Sequence, residues 1–285
     1  MSKRLVDWST YSPRSREGRL CRRRKPRPST SGRTTAGSSH RVHLGPWDAD
    51  SQHAGPPAAL LGLAVEQRPD GRPDMRVARL TYEIMRPVPI RPLNVSTRVL
   101  RAGRSVELVE VGLTPDGGQE VMRATVLLMK AAPGSVPEVS PGRQVPGPEA
   151  APAKAFFPVP WEQGYHTAMD LRFAAGSFLE PGPATAWMRM RVPLVAGEEI
   201  TPLSRVLTAA DSGNGVSAEL DFHRYVFINA DLTVSLHRHP EGEWVCLDAR
   251  TMVDGAGIGL AESALHDEKG PLGRSTQTLY VAARG

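Results

Sequence analysis

Residues 80–113, LTYEIMRPVPIRPLNVSTRVLRAGRSVELVEVGL, decide the fold, because a related stretch occurs again at 232–265, LTVSLHRHPEGEWVCLDARTMVDGAGIGLAESAL. Laid over each other at an offset of 152 with no gap, the two share 8 identities in 34 positions. Unrelated stretches of ordinary composition would share about two or three, so the match marks an internal repeat. Leu80, Thr81, Arg86, Arg98, Gly103, Leu108, Glu110 and Leu113 fall on Leu232, Thr233, Arg238, Arg250, Gly255, Leu260, Glu262 and Leu265. Apolar character is also kept at Ile84/Leu236, Val95/Leu247, Leu100/Met252 and Val106/Ile258.

Working outward, each copy reads as a helix followed by strands. Before the first repeat, Pro56-Pro57 introduce an apolar run, Ala58 to Val65. Proline suits a first helical turn, and a helix apolar on every side must be buried on every side. Strands are predicted at Val77–Met85, Leu93–Leu100, Val106–Leu113 and Glu120–Leu128, the last two separated by the turn PDGG at 115–118. Before the second repeat, Thr201 is an N-cap with Pro202 behind it. Leu203, Val206, Leu207 and Ala210 keep helical spacing, and Ser212-Gly213-Asn214-Gly215 ends the helix. Strands follow at Val226–His237, Glu243–Val253, Ile258–His266 and Ser275–Ala283, with another at Ala184–Val192 before the helix.

The flanking regions differ in character. Residues 1–43 hold twelve of the 35 Lys/Arg and two of the 30 Asp/Glu, a net of +10, which leaves 23 and 28 in the other 242 residues, a net of −5. The basicity is a property of an expected disordered leader and not of a nucleic-acid-binding face. Residues 131–160, with Pro133, Pro137, Pro141, Pro146, Pro148 and Pro152, read as a linker. The expected modules are therefore 44–130 and 161–285. Cys21 and Cys246 make no disulfide framework and no metal-ligand spacing. No run reaches the roughly 18 apolar residues of a membrane helix. The expected setting is cytoplasmic, with neither a membrane nor a nucleic acid as partner. The fused pair of modules can stand alone or assemble further as a homo-oligomer.

One helix wrapped by a curved antiparallel sheet, twice over, is an α+β double hot dog. Two separately packed sandwiches use the same elements. The chain resembles the acyl-CoA thioesterase II-like family of double hot-dog proteins over residues 44–284. The resemblance rests on GPWDADSQHAGPPAALL (45–61), TYEIMRPVPIRPL (81–93) and RAGRSVELVEV (101–111). It rests further on TPLSRVLTAADSGNG (201–215), FINADLTVSLHRHPEGEWVCLDARTMVDGAGIGLAES (227–263) and GPLGRSTQTLYVAAR (270–284). It implies an acyl-CoA substrate, no cofactor and no metal. It also implies a water oriented by an Asp late in the second helix, a Thr on the next strand and a Gln on the last strand. Asp211 and Gln277 match. Asn229 stands where the family has Thr, and Thr233, four residues on, carries the nearest hydroxyl.

Read as residues, each candidate has a second reading. Asp211 follows the apolar stripe near a helix C-terminus, where the dipole disfavours a carboxylate and partial burial would raise its pKa toward that of a general base. It also fits a solvent-facing turn. Asn229, Asp231, Thr233, Ser235 and His237 alternate with apolar residues. They either line the site or face water, and Asp231 alternatively holds a loop. Gln277 is an amide that can hold a water or a carbonyl oxygen, or a surface residue. Its position matches Thr125 in the first copy. Gly55 sits where free backbone N–H groups could form an oxyanion hole, or where the turn into Pro56 demands glycine. His53 belongs to the same substrate-facing loop. With Asp48 it also has the spacing of the Asp/His pair of hot-dog enoyl-CoA hydratases, without their Asn-Pro. Arg86 and Arg238, each followed by proline, read as a shared structural role. The expectation is hydrolysis of acyl-CoA thioesters. An acyl-CoA or acyl-carrier binding protein comes second and a hydratase or dehydratase third.

Overall fold

The computed structural model describes residues 5–7, 30–34, 43–46, 48–139, 142–154, 156 and 158–284. Most of the expected leader lies outside them. Its described backbone includes β1 (Leu5–Asp7), parallel to β2 (Thr30–Thr34).

The first module is α1 (Gly55–Glu66), β3 (Met75–Ile84), β4 (Leu93–Arg101), β5 (Val106–Pro115) and β6 (Met122–Lys130). The turn joining β5 to β6 places Gly117 at φ 67°, a conformation that glycine adopts without steric cost. The second module is α2 (Tyr165–Ala168), β7 (Met169–Ser177), β8 (Glu180–Met190), α3 (Pro202–Ala210), α4 (Gly213–Val216), β9 (Tyr225–Asn229), β10 (Asp231–Leu236), β11 (Val245–Val253), β12 (Ile258–Asp267) and β13 (Gly270–Ala283). Thr201 caps α3 by accepting from the Ser204 N–H. Ser212-Gly213-Asn214-Gly215 does more than end that helix. Asp211 is its C-cap, and the chain turns at once into α4.

The described strands join into one sheet in the order β1-β2-β4-β5-β6-β3-β10-β13-β12-β11-β8-β7, with β9 also on β13. Two separate sandwiches are thereby replaced by a double hot dog. β3 and β10 pair antiparallel at the join, with Thr81 opposite Thr233, Leu80 opposite Val234 and Tyr82 opposite Leu232. Under the 152-residue offset Thr81–Thr233 maps onto itself and the other two pairs map onto each other, so a local twofold axis passes between Thr81 and Thr233. Two of the repeat's identities form one cross-strand contact in each copy: Arg98 pairs with Glu110 on β4 and β5, and Arg250 with Glu262 on β11 and β12.

The two helices lie inside the sheet against each other. They run antiparallel, since Thr201 at the start of α3 donates to Glu66 at the end of α1. A Cβ on Gly55 would stand 2.3 Å from the Thr208 backbone oxygen, and one on Gly62 2.3 Å from Leu207 Cδ1. That closeness lets one apolar cluster run through both halves, with Leu61, Leu80, Tyr82, Leu203, Leu207 and Leu232 fully enclosed. Each such aliphatic side chain contributes about 1.5–3 kcal/mol by burial.

Three expectations change. The predicted strand 226–237 breaks at Ala230 into β9 and β10. The equivalent residue Ala78 sits at a bulge between Val77 and Arg79 in β3. Second, the hairpin from β12 to β13 is one residue shorter than that from β5 to β6, with Leu113 opposite Met122 but Leu265 opposite Gly273. Gln277 pairs with Ala261 as Val126 pairs with Val109. Its counterpart is therefore the buried Val126 and not Thr125. Third, the latter part of the predicted linker is folded onto the second module: Pro148–Ala150 is a 3-10 turn, and Trp187 Nε1 donates to the Pro146 oxygen at 2.7 Å.

Candidate active site

A cleft of about 520 Å³ opens where the start of α1 meets the end of α3. Its walls come from both modules and include Ile84, Val88, Phe156, Phe178, Val226 and Phe227. Asp211 lies on it, only 4% exposed.

The carboxylate is held from several sides. Asn229 Nδ2 donates to Oδ1 at 2.8 Å, and Gln277 Nε2 to the same oxygen at 3.2 Å and to the Asp211 backbone oxygen at 2.9 Å. Gln277 Oε1 accepts the Asn214 N–H at 3.0 Å, which fixes the amide's orientation. On the other side Oδ2 is 3.0 Å from His53 Nδ1. The Gly55 N–H points into the same gap, 3.2 Å from His53 Nδ1, and also bonds the carboxylate. Burial pushes the Asp211 carboxyl up. The charge and hydrogen bond of His53, with the bonds from Asn229 and Gly55, outweigh it and hold the group below the usual carboxylate range. The raised pKa expected at this position is thus corrected.

His53 is itself fixed. Its ring stacks on Tyr165, centroids 3.8 Å apart and planes 3° from parallel. The Tyr165 hydroxyl donates to the Thr208 oxygen at 2.9 Å and contacts Ser212 Oγ at 2.9 Å, tying the ring to the end of α3. Burial pushes the Tyr165 phenol far up, so it stays neutral.

Of the residues singled out from sequence, Asp211, Gln277, Asn229, His53 and Gly55 come together. Thr233 does not line the cleft. It stands mid-sheet between Thr81 and Thr276. Nor does Asp231, whose Oδ1 accepts the Thr278 N–H at 2.5 Å and braces the break at Ala230 against β13. Asp48 accepts from Ser51 Oγ at 2.6 Å and from the Asp50 N–H at 3.0 Å. It closes its own loop, and His53 pairs with Asp211 instead. The oxyanion role expected of the α1 start also changes. The Gly55 N–H is taken, Pro56 and Pro57 carry none, and the Ala58 N–H bonds the Ala54 oxygen. Sequence reading missed Tyr165 and Asn214. Tyr165 sits in a four-residue helix too short to leave a periodic signal, and Asn214 acts through its backbone.

A second cavity of about 360 Å³ lies at the opposite end of the helix pair, beside Glu66 and Leu203. Met75, Arg76, Val77, Leu236, His239 and Pro240 line it. Moved by 152 they become Phe227, Ile228, Asn229, Ile84, Pro87 and Val88, all of which line the first cleft. The two cavities are therefore repeat-related, with Val77 where the first has Asn229.

Family models place the chain. The acyl-CoA thioesterase N-terminal domain matches residues 43–129, and the acyl-CoA thioesterase C-terminal domain matches residues 147–281. No curated protein sequence matches. Among solved structures, a protein assigned as a thioesterase II from Thermobifida fusca YX is 18% identical with a TM-score of 0.70, over 89% of this chain and 92% of that one. A conserved protein of unknown function with a hot-dog fold, from Alicyclobacillus acidocaldarius, is 17% identical with a TM-score of 0.68, over 90% and 93%. The acyl-CoA thioesterase II TesB2 of Mycobacterium marinum is 17% identical with a TM-score of 0.59, over 86% and 96%.

Proposed function

Because the chain belongs to the acyl-CoA thioesterase family, carrying its N-terminal and C-terminal domains in tandem, we propose that it hydrolyses acyl-CoA thioesters to free acid and CoA in the cleft that holds Asp211. The observation that carries this reading is the ionised, buried carboxylate held by the Gln277 and Asn229 amides beside an apolar wall. A thioester needs a placed water, donors for the oxygen that gains charge, and room for the acyl chain. Asn229 spends one amide hydrogen on Asp211 and keeps the other for the water or the carbonyl oxygen. The apolar wall takes the acyl chain. Arg86, exposed on the rim, offers a charge to the CoA phosphates.

One observation favours a second reading, that of an acyl-CoA binding protein. The carboxylate is already met by donors from Asn229, Gln277, His53 and Gly55, which leaves it a poor proton acceptor. Release of free thiol from short-, medium- and long-chain acyl-CoAs separates the two. Turnover by the native chain is expected, with kcat lowered about 100-fold or more in Asp211→Asn. Acyl-CoA binding without thiol release would leave the binding protein as the better account.

A further inference from the structure

We infer that His53 is the general base of the hydrolysis, taking the proton of the attacking water at Nε2 while Asp211 holds its Nδ1–H. The inference rests on the hydrolase reading above and supplies the proton acceptor that Asp211 cannot be. A 3.0 Å approach of a ring nitrogen to an ionised carboxylate oxygen requires a proton between them. That proton sits on Nδ1, which leaves the Gly55 N–H, 3.2 Å from the same nitrogen, to the carboxylate, and the ring in its neutral form presents Nε2 as an acceptor. Nε2 bonds no other group among the described residues, and the ring lines the cleft. Stacking on Tyr165 and the bond to Asp211 fix the ring in two directions. This is the arrangement a base needs: oriented from behind, open in front.

The step balances without any further reactant. The water oxygen bonds to the thioester carbonyl carbon as Nε2 takes one of its protons. The carbonyl oxygen carries the resulting charge. When the carbon–sulfur bond breaks, the electron pair leaves with sulfur, and Nε2–H returns its proton to the thiolate. The Asp211 carboxylate stays ionised throughout and offsets the imidazolium. The titratable groups in contact with the ring are Asp211, from the end of α3, and the neutral Tyr165 phenol, from α2. Asp48, Arg86 and Arg284 line the same cleft.

The test compares native protein, His53→Ala, His53→Gln and Asp211→Asn in kcat against pH, using one acyl-CoA that the native chain turns over. Melting curves identify any variant that fails to fold. Loss of the base is expected to lower kcat about 10²–10⁴-fold. The native profile should fall on its acid side with one proton. That limb should vanish in both His53 variants and persist in Asp211→Asn. Added imidazole should restore part of the His53→Ala rate. A His53→Gln rate within about threefold of native, or loss of activity with the acid limb unmoved and no imidazole rescue, would overturn the assignment and leave the hydrolase reading standing. A native chain that releases no thiol from any acyl-CoA would overturn both.

Discussion

At Asp211 burial and pairing pull in opposite directions, and pairing wins. Its folded pKa lies below its unfolded one. The group therefore contributes stability above the ordinary carboxylate value of about 3.9, and that contribution is lost as pH falls through the folded value. Melting temperature against pH for native protein and Asp211→Asn measures this. The variant should melt lower at neutral pH, and the gap should close below about pH 4. A gap unchanged between pH 7 and pH 3 would contradict the pairing. The residue itself was singled out by the family resemblance, since its place after an apolar helical stripe also fitted a solvent-facing turn. The sign of its shift was not, because its partners His53, Asn229 and Gln277 come from distant points in the chain. The adjacent Asp48 drew attention to the wrong carboxylate for His53 for the same reason: spacing along the chain says nothing of a partner across the helix pair.

The elements whose shape depends on neighbours in sequence were read well. The proline-led α1 and the capped α3 fall where composition and capping place them, and eight of the nine predicted strands differ only at their ends. The break at Ala230 was hidden, because an unbroken alternation of polar and apolar residues runs straight through it. β7 was missed because its exposure follows no period of two and it contains Gly176 at φ 72°. The approach of α1 to α3 is the element-scale feature most exposed to test. Gly55→Ala would drive a methyl group into the Thr208 backbone oxygen, which has no flexible end to yield. It should destabilise the fold by about 1–3 kcal/mol in denaturant unfolding, and lower kcat by moving the Gly55 N–H away from Asp211. A variant as stable as native would show that the helices do not need this contact.

Over the whole molecule the duplication was visible in sequence as a gapless match, and the twofold between Thr81 and Thr233 is its structural form. What the match could not separate was the fate of paired residues. Arg238 donates to both carboxylate oxygens of Asp267, at 2.5 and 2.6 Å, and to the backbone of Gly270 and Pro271. Arg86, its repeat equivalent, lines the mouth of the cleft instead. A shared structural role therefore holds for Arg238 alone. Arg86→Ala should raise KM for acyl-CoA about tenfold with kcat retained, and should flatten the dependence of KM on salt. Equal KM values at low and high salt in the native protein would remove Arg86 from substrate binding.

The two repeat-related cavities also bear on how such a chain can change. In a pair of identical subunits every substitution is made twice, and a residue that suits one pocket is imposed on the other. A gene that encodes both halves separately lifts that constraint. Asn229 and Gln277 can then be kept on one side while Val77 and Val126 fill the equivalent places on the other. One mouth carries two amides beside Asp211, and its twin carries aliphatic side chains at the same two places.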